Sequence, residues 1–231
     1  MDEKIINEIK LYANEELAKH HLRFFKTGKG EYGEGDLFLG LKVPSVRLIS
    51  KKFFKDVQIS DLEKLIKNQY HEIRLAALFM MILKYDKGDN STKSQIFDLY
   101  VNSANYVNNW DLVDLSAPNI FGSFVFDSTD KLWEFAKKDH LWSQRISVVA
   151  SHYFIRKNNF KPTLELSEYF LPHKHDLMHK ACGWMLREVG KRDVNELYGF
   201  LDKFYKVMPR TMLRYSIERL DADKKKHYMG K

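Results

Sequence analysis

Residues 71–85 read HEIRLAALFMMILKY, a helix-length run more apolar than its flanks. Alone it indicates one buried helix; recurrence turns it into a fold. NNWDLVDLSAPNIFG (108–122), WSQRISVVASHYFIRK (142–157), MHKACGWMLREVGKR (178–192) and PRTMLRYSIERL (209–220) are of the same kind. Setting Arg74, Trp110, Arg145, Lys180 and Arg214 in one column gives steps of 36, 35, 35 and 34 residues. Between these runs lie shorter amphipathic ones: SDLEKLIKN, STDKLWEFAKKD, NNFKPTLELSEYF and DVNELYGFLDKFY. In the first, Ser60 reads as an N-cap and Glu63 completes a capping box. One helix pair cannot bury its apolar face alone, so neighbouring pairs must stack. The expected fold is all-α, an α-solenoid superhelix whose more apolar helices line a concave side. It is read as one domain over 1–231, with a Gly-rich loop at 27–36 and a basic C-terminal tail at 221–231. GDLFLGLKVP (35–44) is the best strand candidate, but its length and glycines suit a loop.

Composition narrows the classes. The chain has 231 residues, 44% hydrophobic and 30% charged, with a net charge of +7 and a pI near 9.2. Such a balance fits a folded protein with an anionic partner, provided the charge is clustered. No apolar run approaches the roughly 20 residues that span a bilayer, and the charged, amphipathic MDEKIINEIKLY is not a signal peptide. A single cysteine, Cys182, forms no intrachain disulfide and fits a reducing, cytoplasmic setting.

The repeat register brings out one constellation. Four residues after the column come Leu78, Asp114, Val149, Trp184 and Glu218, one helical turn on and so on the same face. Trp110, Asp114, Arg145, Lys180 and Trp184 thus fall on adjacent helices at matching height. Together they would make a basic surface with two indoles and a carboxylate at its centre. The alternative reading of the same register is an Asp114–Arg145 ion pair that organises the stack and does no chemistry. Asp111 points elsewhere on the helical wheel and is expected to serve the helix start or to pair with a basic neighbour.

Other motifs carry less. GKGEYG (28–33) spells G-x-G-x-x-G, but a helical run rather than a strand precedes it, and Glu31, Glu34 and Asp36 oppose a phosphate. HDLMH (175–179), with His173 nearby, has zinc-ligand spacing but an aspartate in place of the general-base glutamate; a histidine-rich helix start is the simpler reading. His20–His21 adds nothing specific. Cys182 sits at a small-residue position of its repeat and reads as a packed thiol. DKKKH (223–227) reads as a solvated tail or as a contact for a phosphate backbone.

The combination W-D-x-V-D at 110–114, Gln144–Arg145, and G-W-x-L-R-E at 183–188 resembles the HEAT-like-repeat DNA alkylation repair proteins, the AlkD-type alkylpurine DNA glycosylase family. LFLGLKVPSVR resembles that family's N-terminal segment, and the likeness runs from about residue 15 to 215. It implies a superhelix of HEAT-like repeats holding alkylated double-stranded DNA in a basic cleft, as a monomer, with no metal, cofactor or membrane. It implies that Asp114 is the catalytic carboxylate, flanked by Trp110 and Trp184, with Arg145 in the active site. It implies hydrolysis of cationic N3- and N7-alkylated purines. Arg74, Arg145, Lys180 and Arg214 are the expected DNA contacts. The chain departs from the family pattern in three ways: Asn109 precedes Trp110 where two tryptophans are usual, Phe24 stands where a tyrosine is usual, and the loop GKGEYGEGD is extra and acidic. This marks a divergent branch. Two other functions remain open on sequence: a non-catalytic binder of branched or distorted DNA, and a HEAT-type protein scaffold.

Overall fold

Periodicity of 3.6 is realised along nearly the whole chain. The computed structural model describes residues 1–230, and within them every named element is a helix; the one β feature is an isolated bridge between Leu37 and Tyr70 in an otherwise extended loop. Two compact units divide at Ser116/Ala117. No helix is long and apolar enough to cross a membrane.

The first unit runs α1 (Asp2–Lys10), α2 (Glu15–Phe24), α3 (Val43–Phe53), α4 (Ile59–Ile66), α5 (His71–Lys87), α6 (Asn90–Asn102) and α7 (Trp110–Ser116). α5 is its centre: α3, α4, α6 and α7 all pack on it, and residues 71–81 are buried without a break. That explains why this run is more apolar than its flanks. α1 contributes Ile5 and Ile9 to the core against α3 and α4. α2 buries none of its own residues and is tied at its start, where Asn14 caps it by accepting from Leu17 N while its own N–H reaches the Leu39 carbonyl at 2.8 Å.

The second unit starts with a π turn at Pro118–Gly122 and continues through α8 (Asp130–Ala136), α9 (Leu141–Arg156), α10 (Lys161–Tyr169), α11 (Asp176–Arg192), α12 (Val194–Phe204), α13 (Arg210–Ser216) and α14 (Ala222–Met229). The π turn, α9, α11 and α13 pack in succession, while α8, α10 and α12 lie against α9 and α11. This is the stacked-pair arrangement that the 35-residue spacing predicts. Gly183 sets the approach of α11 to α13: a Cβ there would lie 2.5 Å from the Met212 carbonyl oxygen and 2.6 Å from Tyr215 Cβ. Next to it Cys182 is buried, and burial pushes its thiol up to about 12, as a packed rather than reactive cysteine.

Two local expectations need correction. The capping box of α4 is built two residues earlier than Ser60 and Glu63: Gln58 is the N-cap and Asp61 the reciprocal N3 residue, with Gln58 N donating to Asp61 Oδ2 at 3.0 Å. Both pairs have acceptable spacing; Gln58 wins because the backbone turns into the helix there. The C-terminal stretch is not a loose tail. Asp221 caps α14 by accepting from Lys224 N, and Tyr228 is buried with its hydroxyl donating to Asp202 at 2.8 Å. Only the last residue of the expected tail, Lys231, lies outside the described residues.

Gly183→Ala should therefore destabilise the protein by about 1–3 kcal/mol, the usual penalty of overpacking a tight contact. Urea unfolding of the purified variant measures it; a change under about 0.5 kcal/mol would show that α11 and α13 do not meet as closely as described.

Candidate active site

Trp110 and Asp114 do share a face of α7. Both are half-buried, and they line one cleft of about 440 Å³ together with Asp111, Leu17, His20, His21, Phe24 and Phe25. The wall is aromatic. Phe25 stacks on Trp110 with ring centroids 5.4 Å apart, and Phe24 meets the same indole edge-on at 5.8 Å. Phe24 is 53% exposed and stacks against His20 at 6.0 Å. Behind Phe25 the rings continue through Phe38, at 5.0 Å, to His71, at 4.6 Å. The His20–His21 pair, which carried no sequence signal, thus forms part of the wall because helix spacing turns both toward the Phe24 end of α2. Burial depresses the basicity of His21, against the pull of Glu72.

The helix that carries Asp114 is held from behind by a buried charge network. His71 Nε2 bonds Asp111 Oδ2 at 2.8 Å and Nδ1 faces Asp36 Oδ2 at 3.3 Å. Arg74 pairs with Asp36 at 2.8 Å, and Asn108 donates to Asp36 at 2.9 Å. With both ring nitrogens facing carboxylates, the imidazole must carry both protons. Burial opposes that charge, but Asp111, by charge and hydrogen bond, and the hydrogen bond of Asp36 outweigh it and raise His71 to about 9. For Asp36, burial likewise opposes ionisation, and the His71 hydrogen bond and Arg74 charge hold its carboxyl below the usual range. Asp111 thus pairs with a basic neighbour, as expected from its place on the wheel; the neighbour is a histidine 40 residues away.

Arg74 is not available to a phosphate. It is 3% exposed, and beyond Asp36 its guanidinium donates to the Asn68 and Gln69 carbonyls and to Asn108. Its column position faces inward because an acid from the Gly-rich loop is waiting there. That loop is itself a structural piece. Glu31 and Glu34 accept from the Gly28 and Gly30 amides at 2.9 and 2.8 Å, the groups a phosphate cradle would use. Gly33 passes so close to the start of α7 that a Cβ would sit 2.6 Å from the Phe25 carbonyl and 3.1 Å from Asn109 Nδ2.

The remaining expected site residues lie in the second unit. Arg145 is 4% exposed and its Nη1 donates to the Leu177 carbonyl at 2.6 Å, so it joins α9 to α11 and offers little surface to a phosphate. Trp184 is half-buried, its indole N–H donating to Glu188 at 3.1 Å and its ring 5.9 Å from that of His152. Lys180 reaches outward and pairs with Asp176 at 2.8 Å; Arg214 is exposed. The HDLMH histidines serve the start of α11: His175 caps it by accepting from Leu177 N, His173 bonds Gln144 at 3.0 Å, and His179 bonds the His173 carbonyl.

Comparison with known proteins adds one decisive finding: residues 5–220 match the family model described as DNA alkylation repair enzyme. The chain belongs to that family. Membership carries a DNA repair role and, broadly, an enzymatic one. A solved structure titled "Predicted DNA alkylation repair enzyme from Enterococcus faecalis" superposes with a TM-score of 0.70 at 18% identity, covering 91% of this chain and 97% of that one; at this identity the likeness speaks for the helical fold. No curated protein sequence matches.

Within this repair-family fold, sequence reasoning missed Asp36, His71 and Phe25. His71 and Arg74 lie three residues apart on one helix face, a weak sign that one partner set receives both. The network has a pH signature. The folded protein holds the His71 proton up to about 9, against 6.5 for a free imidazole. Its contribution to stability is therefore full below pH 6.5 and is lost as pH rises through about 9. The stability difference between the parent and His71→Gln should shrink steadily over that interval in urea titrations; a difference independent of pH would contradict a charged His71.

Proposed function

We propose that this protein is a DNA glycosylase that hydrolyses the N-glycosidic bond of cationic N3- and N7-alkylated purines in duplex DNA. The observation that carries the reading is a half-buried carboxylate, Asp114, in the wall of an open cleft whose other lining includes the rings of Phe24, Phe25 and Trp110, two histidines, aliphatic side chains and Asp111. Alkylation makes the purine a cationic leaving group, and as its bond to deoxyribose breaks, positive charge spreads onto the sugar. A carboxylate at about 4 Å stabilises that charge by roughly 4 kcal/mol at an effective dielectric near 20, or about a thousandfold in rate. The face of Trp110 adds on the order of 0.5–2 kcal/mol of cation–π attraction. Asp114 also accepts the proton of the attacking water. Trp184, Arg145, Lys180 and Arg214 enter the proposal through the family resemblance: Trp184 as a second indole, Arg145 as a positioning group, Lys180 and Arg214 as phosphate-binding groups. Net positive charge supports a polyanionic partner.

Asp114→Asn is nearly isosteric and should lower release of 7-methylguanine from methylated duplex DNA by about a hundredfold or more, the loss of most of that electrostatic stabilisation. Equal rates would remove Asp114 from the chemistry, and no release by the parent would leave the binder of distorted DNA as the better reading.

Affinity for an unmodified duplex should fall with salt, and the double variant Lys180→Ala, Arg214→Ala should flatten the slope of log K against log salt by about 1.8, or roughly 0.9 for each phosphate that is no longer neutralised. The weakening should be the same for all sequences, since phosphate contacts carry no base information. A parent whose binding ignores salt would favour the protein scaffold instead.

A further inference from the structure

The C-terminal ends of α9 and α11 carry a second set of cations. Arg156 closes α9, and Lys191 and Arg192 close α11; all three are exposed. A cation in the last turn of a helix is favoured by the macrodipole alone, and one such residue needs no ligand. The two arginines are held in a way that the dipole does not require. Arg156 Nη2 donates to Asn119 Oδ1 in the π turn at 3.4 Å, and Arg192 Nε donates to Asn158 Oδ1 just past α9 at 2.8 Å. Each guanidinium is thus fixed to an amide of the preceding repeat, and the arrangement recurs 36 residues on. Asn158 takes a left-handed backbone conformation, φ 58°, which turns the chain out of α9. An amide oxygen orients a guanidinium without neutralising it. Among the described residues neither arginine forms an ion pair, whereas Lys191 pairs with Glu188 at 2.7 Å. Asp193, next to Arg192, is used at the start of α12, where it accepts from Asn195 N at 2.9 Å.

Between this set and Lys180 lies an aromatic band. On α11, Lys180 and Lys191 are 11 residues apart, three turns and about 16 Å along one face, with Trp184 between them. The indole of Trp184 meets the ring of His152, one turn before Arg156 on α9, at 5.9 Å. Burial and then the charge of Arg156 lower the basicity of His152; Glu188 opposes this, and Lys191 and Arg192 add to it. Cations from both helices therefore act on the same spot. We propose that Arg156 and Arg192 grip one strand of duplex DNA at the lip of a groove, while Lys180 and Arg214 grip the other strand at the opposite lip. This rests on the duplex-binding reading given above. Each row passes from one helix to the next, Arg156 to Arg192 and Lys180 to Arg214, so the two rows run side by side across the stack. A duplex offers two rows of phosphates bordering each groove, and its major groove is about 12 Å wide. Cation rows about 16 Å apart at the backbone reach such lips with their side chains. The phosphates of one strand follow each other at about 3.4 Å along the helix axis and give no reason for two separated rows.

Two measurements on the full chain test the clamp. In the first, Arg156→Gln with Arg192→Gln removes both charges from exposed positions and keeps hydrogen-bonding side chains there. It should flatten the slope of log K against log salt on an unmodified duplex by about 1.8, or roughly 0.9 for each phosphate released. In the second, the double variant Arg156→Cys, Lys180→Cys carries a photoactivatable aryl azide on each new thiol. The native Cys182 is buried and escapes labelling. The duplex has a different dye on each strand, and the adducts are separated under denaturing conditions. A clamp on two strands should give adducts that hold both dyes on one protein chain, whichever way round the duplex binds, while each single variant gives adducts with one dye. Doubly linked adducts that hold one dye only would show both rows on the same strand and overturn the proposal. An unchanged salt slope in the glutamine variant would overturn it as well and leave duplex binding standing. A parent that binds no duplex overturns both readings.

Discussion

An imidazolium held between two carboxylates is the contact on which the first unit depends. Asp36 comes from the Gly-rich loop, His71 and Arg74 from α5, and Asp111 from α7. Two acids and two bases sum to zero, which makes it tolerable to bury all four. The neighbouring residue extends the effect: Glu72 accepts from the Leu39, Gly40 and Leu41 amides at 2.9, 2.8 and 3.1 Å. The dipeptide His71–Glu72 thus fastens the segment before α3 with one side chain and the base of α7 with the other. α2 buries none of its own residues, so its place beside Trp110 is set by what its two ends are attached to.

That arrangement joins a charged support to an apolar workplace. Trp110, Phe25, Phe38 and His71 form a continuous ring stack that leads from the cleft to the buried network. Aromatic rings carry negative faces, so the stack accepts an imidazolium at its inner end and suits a cationic ligand at its open end. Under the proposed glycosylase reading, the apolar rings beside Asp114 would strengthen its field on such a ligand by leaving less water to screen it.

The basic side chains divide into two populations. Arg74 and Arg145 sit at the same register position as Lys180 and Arg214, yet the two former are buried and bonded to backbone carbonyls, while the latter reach solvent. A planar guanidinium can satisfy several carbonyls at once and so can replace a missing helix-to-helix contact; an ammonium on a flexible stem does this less well. The net charge of +7 therefore overstates how much of the column is offered to a polyanion.

The helix pairs, their spacing of about 35 residues, and the placement of Trp110 and Asp114 on one face were legible in the residues alone, because periodicity is a local property of the backbone. The sequence also exposed the motifs that mark the repair family. It did not reveal that Arg74 would turn inward, that Gln58 rather than Ser60 would cap α4, or that His20, His21 and Phe25 would wall the cleft. Least legible was the His71 network, whose members are separated by 35 and 40 residues. Whether a charged side chain is buried or solvated depends on whether a partner of opposite sign arrives from elsewhere in the chain, and that is set by how distant segments pack.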